Sequence, residues 1–217
     1  MNNHRAWTKI AGMAAILALA ASALLGGTAT AAGRYGQMGN CPAETMVQPF
    51  ATTPWADTDS YFLAPGGAFE GSLTGWTVKG ARLVHGNESY YVNSTQDKQS
   101  LSLPSGSQAT SPSVCVTTQT PDLRIFVLNT GSASATLNVN MTYTNMQGKA
   151  TTVTVGSLTG SSSWSLSPQI SFLQNIMPLV NSNGQTWVNF GFAPVGKGGQ
   201  WQVDDFYVDP IKSQKHK

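Results

Sequence analysis

From Tyr61 onward, short runs of β-branched and aromatic residues alternate with turns built from Gly, Ser and Asn. The runs predict strands at Trp76–Val84, Tyr90–Val92, Gln99–Leu103, Ser113–Thr117, Leu123–Leu128, Ala135–Thr144, Ala150–Val155, Gln185–Phe192 and Gln200–Val208. Alternation is cleanest in the sixth of these. There Leu137, Val139, Met141 and Tyr143 share one parity and Thr136, Asn138, Asn140 and Thr142 share the other, as a half-exposed sheet requires. Asn145–Gly148 predicts the hairpin that follows. In the last run, Trp201 and Val203 have one parity and Phe206 and Val208 the opposite one, which predicts a strand buried on both faces. Ile170–Val180 predicts a short helix, limited by Pro178. There is no repeat of fixed period. Many short strands punctuated by turns predict an all-β domain over residues 61–210, an antiparallel β-sandwich of the jelly-roll kind.

The flanking segments read differently. Residues 1–31 have the parts of a secretory signal peptide. Arg5 and Lys9 form a positive start, Ile10–Leu25 is an apolar run, and Ala29-Thr30-Ala31 is a small-x-small cleavage pattern. The run is shorter than the roughly 20 residues that span a bilayer, so an exported, extracellular protein without a membrane anchor is expected. Residues 32–60 are rich in Pro, Thr and Gly and lack a period, which predicts an irregular lead-in; residues 211–217 form a basic tail. The only two cysteines, Cys41 and Cys115, form an even pair in an exported chain and predict a disulfide tying the lead-in to a strand.

Composition narrows the chemistry. Charged residues make up 10% of the chain, with 12 basic and 10 acidic side chains. Arg5 and Lys9 lie in the leader, which leaves ten of each sign in the rest. A neutral domain of this kind lacks the basic surplus that nucleic-acid binding needs. After the leader, histidine occurs only at His85 and His216, and no G-x-S-x-G elbow, phosphate loop or His-rich metal motif is present. Glu70 and Glu88 are candidate acids for a hydrolase, but Glu88 falls in a polar turn, where a raised acid pKa is not expected. These features predict a protein that is not an enzyme.

Two motifs carry a resemblance. Ala64-Pro-Gly-Gly-Ala-Phe-Glu-Gly71, with Leu73-Thr-Gly-Trp76, opens the domain, and Trp201-Gln-Val-Asp-Asp-Phe-Tyr-Val208 closes it. Together they resemble the opening and closing strands of galactose-binding-like jelly rolls, the fold of many bacterial carbohydrate-binding modules. The chain is also similar to a group of uncharacterised secreted bacterial proteins that share the stretch matched by Ser100–Val116. The resemblance implies a structural Ca²⁺ held by Glu70 and Asp204, and polysaccharide as the partner. A sugar-binding protein stacks pyranose rings on exposed aromatics. Tyr90, Tyr91 and Trp164 lie near loops and are the candidates, whereas Trp76, Trp187 and Trp201 lie inside predicted strands and are expected in the core. The alternative role is a structural or adhesive surface protein that contacts other proteins.

Overall fold

The computed structural model describes residues 40–52, 54–145 and 147–209. The leader and basic tail inferred above lie outside them. The chain runs through β1 (Phe62–Leu63), β2 (Thr77–Lys79), β3 (Arg82–His85), β4 (Gln99–Leu103), β5 (Gln108–Thr110), β6 (Val114–Thr117) and β7 (Asp122–Asn129). It continues through β8 (Thr136–Thr144), β9 (Ala150–Leu158), β10 (Ser165–Leu166), β11 (Ile170–Ser171), α1 (Leu173–Ile176), β12 (Gln185–Val195) and β13 (Trp201–Asp209). One sheet has the order β10-β7-β13-β4-β3, with β1 added beside β13 and β11 beside β7. The other has the order β2-β5-β12-β8-β9, with β6 beside β12. All strand pairings are antiparallel, and the two sheets pack face to face as a β-sandwich.

The core follows the alternation. Leu137, Val139 and Met141 of β8 are buried against Val188, Phe190 and Phe192 of β12 and against Leu123, Ile125 and Val127 of β7. The predicted strand at Trp76–Val84 is two strands, because Gly80 at φ +70° turns the chain between β2 and β3. Tyr90–Val92 is a loop rather than a strand, and the short β1, β5, β10 and β11 are additional, β11 taking the start of the segment expected to be helical. The helix is a single turn, α1, and Pro178 follows it closely.

In β13 the change of parity has a specific cause. Trp201, Val203, Phe206 and Val208 all join the core between the sheets, because the register against β7 slips between Asp204 and Tyr207. Such a β-bulge adds one residue and swaps the faces that follow it. Asp205 occupies the bulge at φ +44°, a left-handed conformation that few non-glycine residues adopt. The strand is also covered on its other face, where Tyr207 is buried in a second cluster.

The disulfide joins Cys41 to Cys115 of β6, with Cα atoms 5.5 Å apart. Beyond it, Val47 of the lead-in forms an antiparallel bridge with Tyr61, which directly precedes β1 of the other sheet.

Candidate binding site on the outer face of the larger sheet

Alternate residues of β7 face away from the core. Phe126 lies opposite in parity to Ile125 and Val127, and with Tyr207 it nucleates an aromatic cluster outside the sandwich. The lead-in supplies the remainder. Phe50 is fully buried there, 4.9 Å from the Tyr61 ring and 5.5 Å from the Tyr207 ring in edge-on geometry. Aromatic pairs of this kind contribute about 0.5–1.5 kcal/mol beyond their burial. Arg124 fastens the segment, because its guanidinium lies over the Phe50 ring and 3.7 Å from Asp57, which also accepts the Tyr61 hydroxyl at 2.7 Å.

The rim of this cluster carries the aromatics that the sequence singled out. Tyr90 packs edge-on against Trp55 at 4.7 Å and in a tilted arrangement against Phe126 at 5.8 Å, yet 44% of it remains exposed. Tyr91 is 47% exposed, and Trp164 is half-buried against the same cluster beside β10. Beside the rim opens a cavity of about 500 Å³, with apolar walls from Val47, Leu63, Val92 and Tyr207 and polar edges from Gln48 and Asn93.

A group of acids lies behind the rim. Glu88 is fully buried, not exposed in a turn as its polar neighbours suggest. Its carboxylate accepts the Tyr90 N–H at 2.5 Å and the Val92 N–H at 2.7 Å, and the Tyr91 N–H also faces it. Burial nevertheless raises its pKa, against the lowering effect of these donors, and the charge of Asp97 adds to the rise. The Glu88 N–H in turn donates to Asp204 Oδ2 at 2.9 Å, while Asp204 Oδ1 accepts the Asp205 N–H at 3.0 Å.

Asp205 is fully buried, and neither of its carboxylate oxygens makes a hydrogen bond. The Asn93 N–H faces it and is the weakest of the influences on its ionisation. Burial, followed by the charges of Asp204, Glu88 and Asp97, pushes its pKa up to about 9. Burial and the charges of Glu88 and Asp97 push Asp204 up to about 8. The Tyr207 hydroxyl is raised as well, by burial and then by the charge of Asp205. A buried carboxyl that lacks a partner beside like charges favours whatever neutralises it, either a proton or a cation.

The residues expected to hold calcium are partnered differently. Glu70 Oε1 accepts the N–H groups of Lys98 and Gln99, both at 2.6 Å, and fixes the start of β4. Its bonds therefore go to β4, not to Asp204, whose partners are Glu88 and Asp205. Both bonds to Glu70 fall on Oε1, and in the group of Glu88, Asp204 and Asp205 it is Asp205 whose two carboxylate oxygens lack a hydrogen bond. Among the described residues, no three His, Cys, Asp or Glu side chains stand arranged around a metal position.

No protein-family model matches the chain. No curated protein matches it in sequence. Solved structures that align with it include carbohydrate-binding modules. The CBM22-1 xylan-binding domain from Paenibacillus barcinonensis Xyn10C aligns at 18% identity and a TM-score of 0.46, over 66% of this chain and 90% of that one. The family 11 module of Clostridium thermocellum Lic26A-Cel5E aligns at 12% identity and a TM-score of 0.42, over 72% and 98%. A family 61 module, TmCBM61, determined with β-1,4-galactotriose, aligns at 16% identity and a TM-score of 0.39, over 68% and 97%.

Several site residues escape a reading of the sequence. Trp55 is hidden in the Pro/Thr-rich lead-in. Glu88 looks like a solvent-facing turn residue. Asp205 is flagged only by the parity break between Val203 and Phe206. In the opposite direction, Trp187 was expected in the core, and the structure leaves 37% of it exposed. It alternates with Val188 and pairs with Cys115 across β6, so it faces away from the core. Trp76 and Trp201 are buried as expected.

Proposed function

We propose that the protein is a secreted, non-catalytic β-sandwich that binds polysaccharide on the face formed by Trp55, Tyr90, Tyr91 and Trp164. Export rests on the leader at residues 1–31. The observation that carries the binding role is the rim itself: Tyr90, packed on Trp55, and the adjacent Tyr91 stand half-exposed, and the next residues of the loop, Val92 and Asn93, line an open cavity. Pyranose rings stack on such rings through their C–H faces, and Gln48 and Asn93 supply groups for hydroxyls. The non-catalytic part is supported by the placement of the acids. Glu88, Asp204 and Asp205 are sealed from solvent, and Glu44, exposed on the cavity with a pKa raised by partial burial, has no second carboxylate beside it among the described lining residues, whereas a glycosidase sets two carboxylates across an open cleft.

The test is retention of the protein on insoluble xylan, galactan and cellulose. Wild type is retained on at least one of them. Tyr90→Ala and Trp164→Ala each weaken that retention about five- to hundredfold, the loss of one stacking ring, with an unchanged circular dichroism spectrum. Retention unaltered in both variants overturns the choice of face.

The role of calcium also remains a proposal, with Asp204 and Asp205 as the carboxylates that would hold the ion. A hard cation with oxygen ligands would neutralise them. Adding Ca²⁺ to chelator-stripped protein then raises Tm in proportion to the logarithm of free Ca²⁺, and Asp205→Asn removes that response. A Tm indifferent to Ca²⁺ up to millimolar levels, roughly the weak end of protein calcium affinities, contradicts it.

A further inference from the structure

We infer that Glu88 is a positioning residue, whose buried carboxylate holds the Tyr90–Tyr91 pair in the conformation that binds ligand. The inference rests on the proposed binding face and adds how that face is preset.

The Tyr90–Tyr91 pair lies in a loop, and a loop alone is a poor platform, because binding must first order it. Here the chain folds back on the side chain that begins it. The N–H groups of Tyr90, Tyr91 and Val92 converge on the Glu88 carboxylate, a nest of successive backbone donors around an anion. Closing the nest requires Tyr91 at φ +53°, a left-handed conformation that an isolated tyrosine rarely adopts. Bonds between a charged acceptor and N–H donors are among the stronger ones in proteins, and they offset that strain. The outcome is two consecutive rings, 44% and 47% exposed, with Tyr90 braced on Trp55.

The nest is also fastened to the sandwich. The Glu88 N–H donates to Asp204 of β13, 116 positions away in sequence. Val92, at the far end of the nest, packs against the outer cluster and lines the cavity. The loop is therefore tied to a central strand at one end and to the aromatic cluster at the other. An exposed loop held only for its own sake has no need to present two aromatic rings to water.

The experiment compares Glu88→Gln, which keeps the shape but lacks the charge and one acceptor oxygen, with Glu88→Asp, which keeps the charge but is too short to reach all three donors. Two readouts are taken: amide hydrogen exchange at residues 90–92, and retention on the polysaccharide that holds the wild type. In both variants exchange at residues 90–92 rises at least about tenfold, and retention falls by about the same factor as in Tyr90→Ala. In the Glu88→Gln background, adding Tyr90→Ala costs little more, because the ring was already misplaced. A purely structural role gives additive losses instead, and that result overturns the inference. Unchanged exchange at residues 90–92 overturns it as well, as does faster exchange with full retention. If the wild type is retained on no polysaccharide, the binding reading fails, and the exchange data still decide whether Glu88 holds the loop.

Discussion

Asp205→Asn stabilises the protein at neutral pH, by about 2 kcal/mol or more, when divalent cations are removed. The linkage gives the sign. In the unfolded chain Asp205 loses its proton near pH 4, the ordinary aspartate value. In the folded protein it keeps the proton until about pH 9, and Asp204 until about pH 8. The native state therefore binds more protons than the unfolded state throughout that window. Each raised group leaves stability intact below about pH 4 and removes about 1.4 kcal/mol per pH unit above it, until its folded pKa is reached. Asparagine cannot ionise, so one share of this loss disappears. It also suits the site, because asparagine accepts left-handed backbone more readily than most residues and Asp205 sits at φ +44°. Urea unfolding in chelator from pH 4 to pH 9 shows wild-type stability falling with pH, and a shallower fall in the variant. A destabilised variant with the wild-type slope means that Asp205 has a partner the structure does not show.

Breaking the disulfide acts in the opposite direction. The pair Cys41→Ser and Cys115→Ser removes a link between residues 74 apart. In the chain-entropy model this costs about 4 kcal/mol. The sandwich is retained, because the Val47–Tyr61 bridge and the buried Phe50 still hold the lead-in further along. Denaturant unfolding monitored by tryptophan fluorescence measures the difference. A loss below about 1 kcal/mol shows that the lead-in is fixed by its other contacts, at the low end of the range for disulfides.

The strands were legible wherever one face is buried and the other wet. In β8 the period of two appears directly in Leu137, Val139 and Met141, and the burial follows it. The pairing of Cys41 with Cys115 needed only compartment and count. What stayed hidden depends on contacts between distant parts of the chain. Glu88 is polar and flanked by polar residues, and only Asp204, brought alongside by the sheet, shows why it is buried. The lead-in lacks a period because Phe50 and Trp55 insert singly into a cluster built by β7 and β13. Tyr90, Tyr91 and Trp164 lie close to turns in the sequence, and the fold sets Tyr90 and Trp164 against one cluster. Trp187 lies in a strand, but its parity is opposite to that of the buried Val188 and Phe190, which sets it on the outer face.

The binding face is tested most directly by titrating ¹⁵N-labelled protein with soluble oligosaccharides of the polysaccharide that retains it, and following tryptophan indole and backbone amide shifts. The account predicts saturable shifts at Trp55, Trp164 and residues 88–93, with Trp187 on the other sheet unmoved. Shifts centred on Trp187 and the outer face of β12 and β8, with residues 88–93 silent, would contradict it.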